Sequence, residues 1–161
     1  MHTVARQLDE LDRSVIARLR DAPRTPVTRL ARLVGVARGT AQARLDRLTR
    51  GGVITGFGPD VDAAAAGFPV TAFTLLTIAQ GAHEEVVRRL EAVPEVIEVF
   101  TVTGSGDMLC RIVARSNDHL HEILQGVVAS PEVVRTETRL ALAAPIRRSV
   151  ADLIAGSVQP P

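Results

Sequence analysis

The chain has 161 residues, 46% of them hydrophobic, and a formal net charge of +1, which fits one domain or two small ones of a globular protein. One cysteine, Cys110, excludes an internal disulfide. No apolar run reaches the roughly 18 residues of a membrane span, and the start, MHTVARQLDELDR, lacks the apolar core of a signal peptide, so a cytoplasmic protein without a membrane partner is expected.

The first predicted element is a helix over 8–19, where Leu8, Leu11, Val15, Ile16 and Leu19 recur at spacings of three and four. A turn with two prolines occupies 21–26. Thr28 can cap a second helix that turns Leu30, Leu33 and Val34 inward and ends at Gly35. A third helix is expected from Ala37 to Gly51-Gly52, with Ala37, Ala41, Leu45 and Leu48 on its apolar face. Three helices that each bury one stripe, joined by short turns, make a helix-turn-helix unit. Val53–Phe57 follows as a short strand, or wing. These elements give a first domain over 1–58 and a linker over 59–69.

The next stretch, 70–145, reads as two β-α-β units. Val70–Ala79 is an apolar, β-branched strand and 84–93 a helix. Pro94-Glu95-Val96 opens a strand at 96–102. The series then repeats with a strand at 108–114, a helix at 118–129, and Pro131-Glu132-Val133 opening a strand at 133–142. Right-handed crossovers turn this βαββαβ order into a ferredoxin-like, four-stranded antiparallel sheet with both helices on one face. The other face stays apolar and uncovered, and a second copy of the chain is the economical cover. The tail, 146–161, has a weak helical pattern without an assignable role. The fold class is α+β.

Charge sharpens the division. Residues 1–60 carry eleven arginines against six acids, and residues 61–161 carry eight against twelve. Between Arg24 and Arg50 there are seven arginines and one acid, Asp46. Every basic residue is arginine, so the clustering carries the signal rather than the residue type. A compact basic helix pair in a near-neutral chain suggests a surface for phosphate, and hence double-stranded DNA as partner. The plainer alternative is a three-helix bundle with a solvated basic face. On the DNA reading, Arg38, Thr40, Gln42, Arg44 and Arg47 lie at or near a major groove. There arginine reads guanine and glutamine reads adenine by paired hydrogen bonds. Arg29, Arg32 and Arg50 are expected to hold phosphates, adding affinity without sequence information.

The second motif is Thr103-Gly104-Ser105-Gly106-Asp107. It suits an ordinary hairpin turn. It also suits a small-ligand site: glycine lets backbone N–H groups approach a carboxylate, and Asp107 can meet an ammonium group. An amino acid presents both. No catalytic or metal-ligating arrangement is read. His119 and His121 are two apart on a helix and point apart, and there is no HExxH, paired CxxC or Walker A loop. No cofactor is expected.

In combination, LDELDRSVIARL, LARLVGVARGTAQARLDRLTRGGVITGF and VTGSGDML closely resemble the Lrp/AsnC, or feast/famine, family of bacterial and archaeal transcriptional regulators, over roughly residues 6–145. The resemblance implies a winged-helix-type N-terminal DNA-binding domain. It also implies a C-terminal effector-binding and oligomerisation (RAM/ACT-like) domain, with dimers through its sheet that assemble into octamers or other rings. Amino-acid effectors are implied near the Gly-Asp loop at contacts between dimers. Thr103, Gly104, Gly106 and Asp107 then become effector residues, with Thr136, Glu137 and Thr138 on the last strand as neighbours. Three positions depart from the family pattern. Ala37 stands where the recognition helix often has a serine cap, Gly39 weakens its first turn, and Met108 replaces an aromatic. Two other readings stand beside this one. One is an enzyme subunit like those of sirohaem decarboxylase, although the C-terminal arginines are too dispersed to converge on a polycarboxylate. The other is an interaction module without DNA binding.

Overall fold

The computed structural model describes residues 8–157; residues 1–7 and the last four of the tail, 158–161, lie outside this range. The chain forms two units. One comprises the N-terminal part up to Pro59 together with the segment from Ile146 onward, and the other is Asp60–Pro145.

The first unit is helical. α1 (Glu10–Asp21) starts in a capping box in which Asp9 accepts from the Asp12 N–H at 2.8 Å and Asp12 accepts from the Asp9 N–H at 3.2 Å. Two acids at the N-terminus also suit the helix dipole. α2 (Val27–Leu33) begins one residue before the expected cap: Pro26 sits at the N-cap position and no side chain caps the helix. Proline has no N–H to lose there and its fixed φ suits the entry. α2 ends in a Schellman turn, with Val36 N–H bonded to the Ala31 carbonyl and Gly35 at φ +71°. α3 (Arg38–Arg50) ends the same way, with Val53 N–H on the Leu48 carbonyl and Gly52 at φ +70°. Val15, Ile16, Leu19, Leu30 and Leu48 form the buried core of this unit.

Two expectations for this unit change. Val53–Phe57 contains no strand; it is a bend followed by irregular chain, and Ile54 folds back onto the helical core. The residues suit a strand, but among the described residues no strand lies alongside to take their backbone hydrogen bonds. The tail also has a place. α6 (Val150–Gly156) opens with a capping box of Ser149 and Asp152 and lays Ala151 and Ile154 against the helical core. Arg20 on α1 donates to Asp152 at 2.8 Å.

The second unit is the expected βαββαβ arrangement. It runs β1 (Val70–Ile78), α4 (His83–Glu91), β2 (Val96–Thr101), β3 (Met108–Ala114), α5 (Asn117–Val128) and β4 (Val133–Leu140). The strands pair antiparallel in the order β2-β3-β1-β4. Strand alternation sends Ala72, Leu76, Met108, Cys110 and Ile112 to one face, where they pack with Val86, Leu90, Leu120, Ile123 and Val127 of the two helices. Burial pushes the Cys110 thiol up to about 11, so it behaves as a small hydrophobe. The opposite face carries Leu75, Leu109 and Phe100, set in register across β1, β3 and β2, with Phe73 beside them opposite Arg111. Phe73 and Phe100 are 39% and 51% exposed there.

Candidate nucleic-acid interface and effector loop

The basic residues of the helical unit fall into two sets. Arg29, Arg32 and Arg38 are exposed and have no ion pair among the described residues. Thr40 and Gln42, on the first half of α3, are also exposed. Gln42 donates to Asp46 at 2.8 Å, one turn on, and the Arg50 Nε donates to the Asp46 carbonyl at 3.3 Å. The Asp46 carboxylate is thus held by Gln42, and Arg50 meets only the backbone carbonyl of that residue. The N-cap residue of α3, Ala37, makes no side-chain cap bond, so the N–H groups of its first turn have no side-chain partner there.

Arg44 and Arg47 behave differently. Both reach back to the start of α1. Arg47 donates to both carboxylate oxygens of Asp12, at 2.5 Å to Oδ2, and Arg44 donates to Asp12 Oδ1 at 3.3 Å and to Asp9. The Asp12 side chain is only 3% exposed. The Asp12 backbone N–H, then the Arg44 guanidinium, hold the Asp9 carboxyl below its ordinary value. The groove-facing role expected for Arg44 and Arg47 thus meets a competing partner inside the fold. Asp9 and Asp12 lie within the helix expected over 8–19, but nothing local in the sequence pairs them with residues 35 positions away.

The effector residues are also divided by the fold. The loop 102–107 closes the β2–β3 hairpin through the Val102 N–H, which donates to the Asp107 carbonyl at 3.0 Å. Gly104 has φ +120°, in the region that favours glycine. Gly106 is needed for a different reason: a Cβ there would stand 2.6 Å from Leu75 Cγ. Asp107 ties the loop to β1, its N–H donating to the Leu76 carbonyl and its Oδ2 accepting from the Ile78 N–H, both at 2.8 Å. This bond lies just past the last pair of the β1–β3 ladder, Leu76 with Met108, where the side chain stands in for a ladder carbonyl. One carboxylate oxygen is therefore structural. Thr103 and Gly104 are exposed beside it.

On β4, Thr136 and Thr138 pair with Leu76 and Thr74 and share their helix-facing side; Thr138 and Thr74 hydroxyls lie 3.1 Å apart. Glu137 pairs with Leu75 on the open face and accepts from Arg139 at 2.5 Å. The three β4 residues cannot line one side of one pocket, because successive strand residues point to opposite faces. The apolar groove between α4 and α5, lined by Val86, Leu90, Gly126, Val127 and Val133, contains none of the expected effector residues.

Comparisons with known proteins agree with this layout. The AsnC-type helix-turn-helix domain matches residues 8–49 and the Lrp/AsnC ligand binding domain matches residues 71–151. HTH-type transcriptional regulator FL11 of Pyrococcus horikoshii is 31% identical over 135 residues, covering 84% of this chain and 89% of its own. Regulatory protein AsnC of Escherichia coli is 30% identical over 145 residues, 89% of this chain and 95% of its own. The solved structure of E. coli AsnC superposes with a TM-score of 0.84 at 28% identity, covering 91% of this chain and 99% of that one. A Neisseria meningitidis transcriptional regulator, NMB0573, solved as an L-Met complex, shares the fold at a TM-score of 0.79 and 20% identity, covering 90% of this chain and 96% of that one. With both domains matched in order and relatives aligned along most of their length, the chain belongs to the Lrp/AsnC family and is a transcriptional regulator with an N-terminal helix-turn-helix DNA-binding domain.

Proposed function

We propose that this regulator binds DNA through the exposed face made by α2 and the first half of α3, and that an amino acid binding at the Gly-Asp loop governs it. The observation that carries the DNA surface is the contrast among the arginines: Arg29, Arg32 and Arg38 are exposed without ion-pair partners among the described residues, beside Thr40 and Gln42 on an uncapped helix start. Arg29 and Arg32 hold phosphates, with Arg50 at the far end of α3. Arg38, Thr40 and Gln42 approach base edges, and a phosphate at the first turn of α3 supplies the acceptor that Ala37 lacks. Gln42 must exchange its bond to Asp46 for one to a base.

The effector half rests on the ligand-binding-domain match and on the chemistry of the loop. Thr103 and Gly104 present a hydroxyl and backbone N–H groups to a carboxylate. The second oxygen of Asp107 meets the ammonium, while Oδ2 stays on Ile78. Thr136 lies across β1 from Met108, next to that end of the loop, and is the β4 residue best placed to join it; Thr138 is committed to Thr74, and Glu137 to Arg139 on the other face. Homodimers form through the open sheet face that bears Phe73 and Phe100. The loop site is completed between dimers in a larger ring, so the effector acts on assembly or on the spacing of the recognition helices.

Two measurements test this. Arg38→Gln is expected to weaken DNA binding and leave the melting temperature unchanged; full-strength binding in a mobility-shift assay would remove Arg38 from the interface. A thermal-shift screen of the twenty amino acids should find one that stabilises the wild-type chain. Asp107→Asn keeps an acceptor for Ile78 but loses the charge, so the same screen should lose that shift. An unchanged shift would return the loop to being only a turn.

A further inference from the structure

We infer that Asp12, with Asp9 beside it, is a positioning residue for DNA binding: it withholds Arg44 and Arg47 from the phosphates and fixes α3 against α1. The inference rests on the reading of α2 and α3 as the DNA interface. Three observations carry it. The Asp12 carboxylate is almost wholly buried, at 3% exposure, and both of its oxygens are occupied by arginines of α3. Its position is set independently of those arginines, because its N–H and Oδ2 also close the α1 capping box with Asp9. Arg44 is shared between the two acids, so neither arginine can leave without exposing or stranding a carboxylate.

The energetic asymmetry decides the outcome. A solvent-exposed arginine gains a phosphate at little internal cost. An arginine that leaves a buried carboxylate strands that charge in a poorly solvated place, which is strongly destabilising. Arg44 and Arg47 therefore stay on α1 when the protein meets non-specific DNA. Their work is to lock the tilt and rotation of α3, so that its exposed first half is presented in one orientation. Of the seven arginines between Arg24 and Arg50, two are neutralised inside the fold, and the electrostatic footprint is smaller than the sequence count.

The test is the salt dependence of binding by the full-length chain to a long random-sequence duplex. Each phosphate contact contributes about 0.9 to the slope of log K against log salt. Arg38→Gln should lower the slope by about 0.9, whereas Arg47→Gln should leave it unchanged. Asp12→Asn should steepen it by roughly 0.9 to 1.8, as one or two freed guanidiniums reach phosphates. It should also reduce the preference for a duplex that the wild-type chain selects from a random pool. A slope lost with Arg47→Gln as large as that lost with Arg38→Gln overturns the inference. So does an Asp12→Asn chain with native circular dichroism, unchanged slope and unchanged preference. If Asp12→Asn fails to fold, Arg47→Gln decides alone, since it removes a cation and leaves Arg44 on both acids. A flat response to Arg38→Gln counts against the interface reading, and the clamp still stands or falls on Arg47.

Discussion

The sheet unit and the helix-turn-helix unit are held together by different means. In the sheet unit, eleven buried residues form one apolar layer between the strands and α4 and α5, contributed by a single continuous segment. In the helical unit the buried apolar cluster is five of the described residues, and two other devices stand beside it. One is the Asp9–Asp12–Arg44–Arg47 cluster that ties α1 to α3. The other is α6, which returns from the far end of the chain to cover α1. Small domains bury a smaller share of their surface and need such supplements. The DNA-binding unit is therefore completed by residues on both sides of the sheet unit in sequence, so it is tied to that unit by two covalent connections rather than one.

The largest expected effects come from the two cores. Leu30 and Leu76 are each fully buried, one in each unit. Leu30→Ala and Leu76→Ala should each cost about 2–5 kcal/mol. Leu30→Ala should abolish DNA binding and leave the sheet unit protected in hydrogen exchange, and Leu76→Ala should do the reverse to protection. Equal loss of protection across both units in either variant would show that they unfold together, and the comparison would break. Gly106→Ala comes next. Its Cβ would overlap Leu75, and overpacking of this kind costs about 1–3 kcal/mol. The loss should be confined to the sheet unit and should blunt any effector-induced thermal shift, measured by calorimetry with and without the amino acid.

A smaller effect belongs to the returning helix. Ile154 is half-buried against the helical core, so Ile154→Ala should destabilise the helical unit by about 1–2 kcal/mol and leave the sheet unit alone. Hydrogen exchange in α1 reports it; unchanged α1 protection would mean that α6 adds nothing to that unit. The smallest effect is the response to acid. Asp9 and Asp152 are both held below their ordinary values, Asp9 chiefly by the Asp12 N–H and then Arg44, Asp152 by Ser149 and then Arg20. A depressed carboxyl contributes stability that is complete above the unfolded value and disappears as pH falls through the folded one. Both groups lie in the helical unit. In the sheet unit Glu132 is lowered in the same sense, by Ser130 first and more weakly by Arg89. The helical unit should therefore loosen first as pH drops below the ordinary carboxylate range, and Asp9→Asn together with Asp152→Asn should flatten that response in pH-dependent hydrogen exchange.

The sequence by itself determined the elements that rest on local pattern. The three-four stripe of α1, the glycine ends of α2 and α3, and the two repeated β-α-β units are written in residues a few positions apart, and the structure follows them closely. Strand alternation likewise set which residues of β1 and β3 are buried, and the basic cluster located the DNA-binding unit. What only the tertiary structure decided are the relations between distant segments. No window of sequence contains both Asp12 and Arg47, or Arg20 and Asp152. Whether Val53–Phe57 becomes a strand depends on a partner strand, and none lies beside it among the described residues. The sharing of Asp107 between loop closure and an open oxygen depends on where β1 turns away from β3. Helices and strands are chosen by periodicity along the chain, which any reader of the sequence can see. The use of a charge is chosen by what folding brings within a few ångströms of it, and for Arg44 and Arg47 that neighbour is a buried carboxylate.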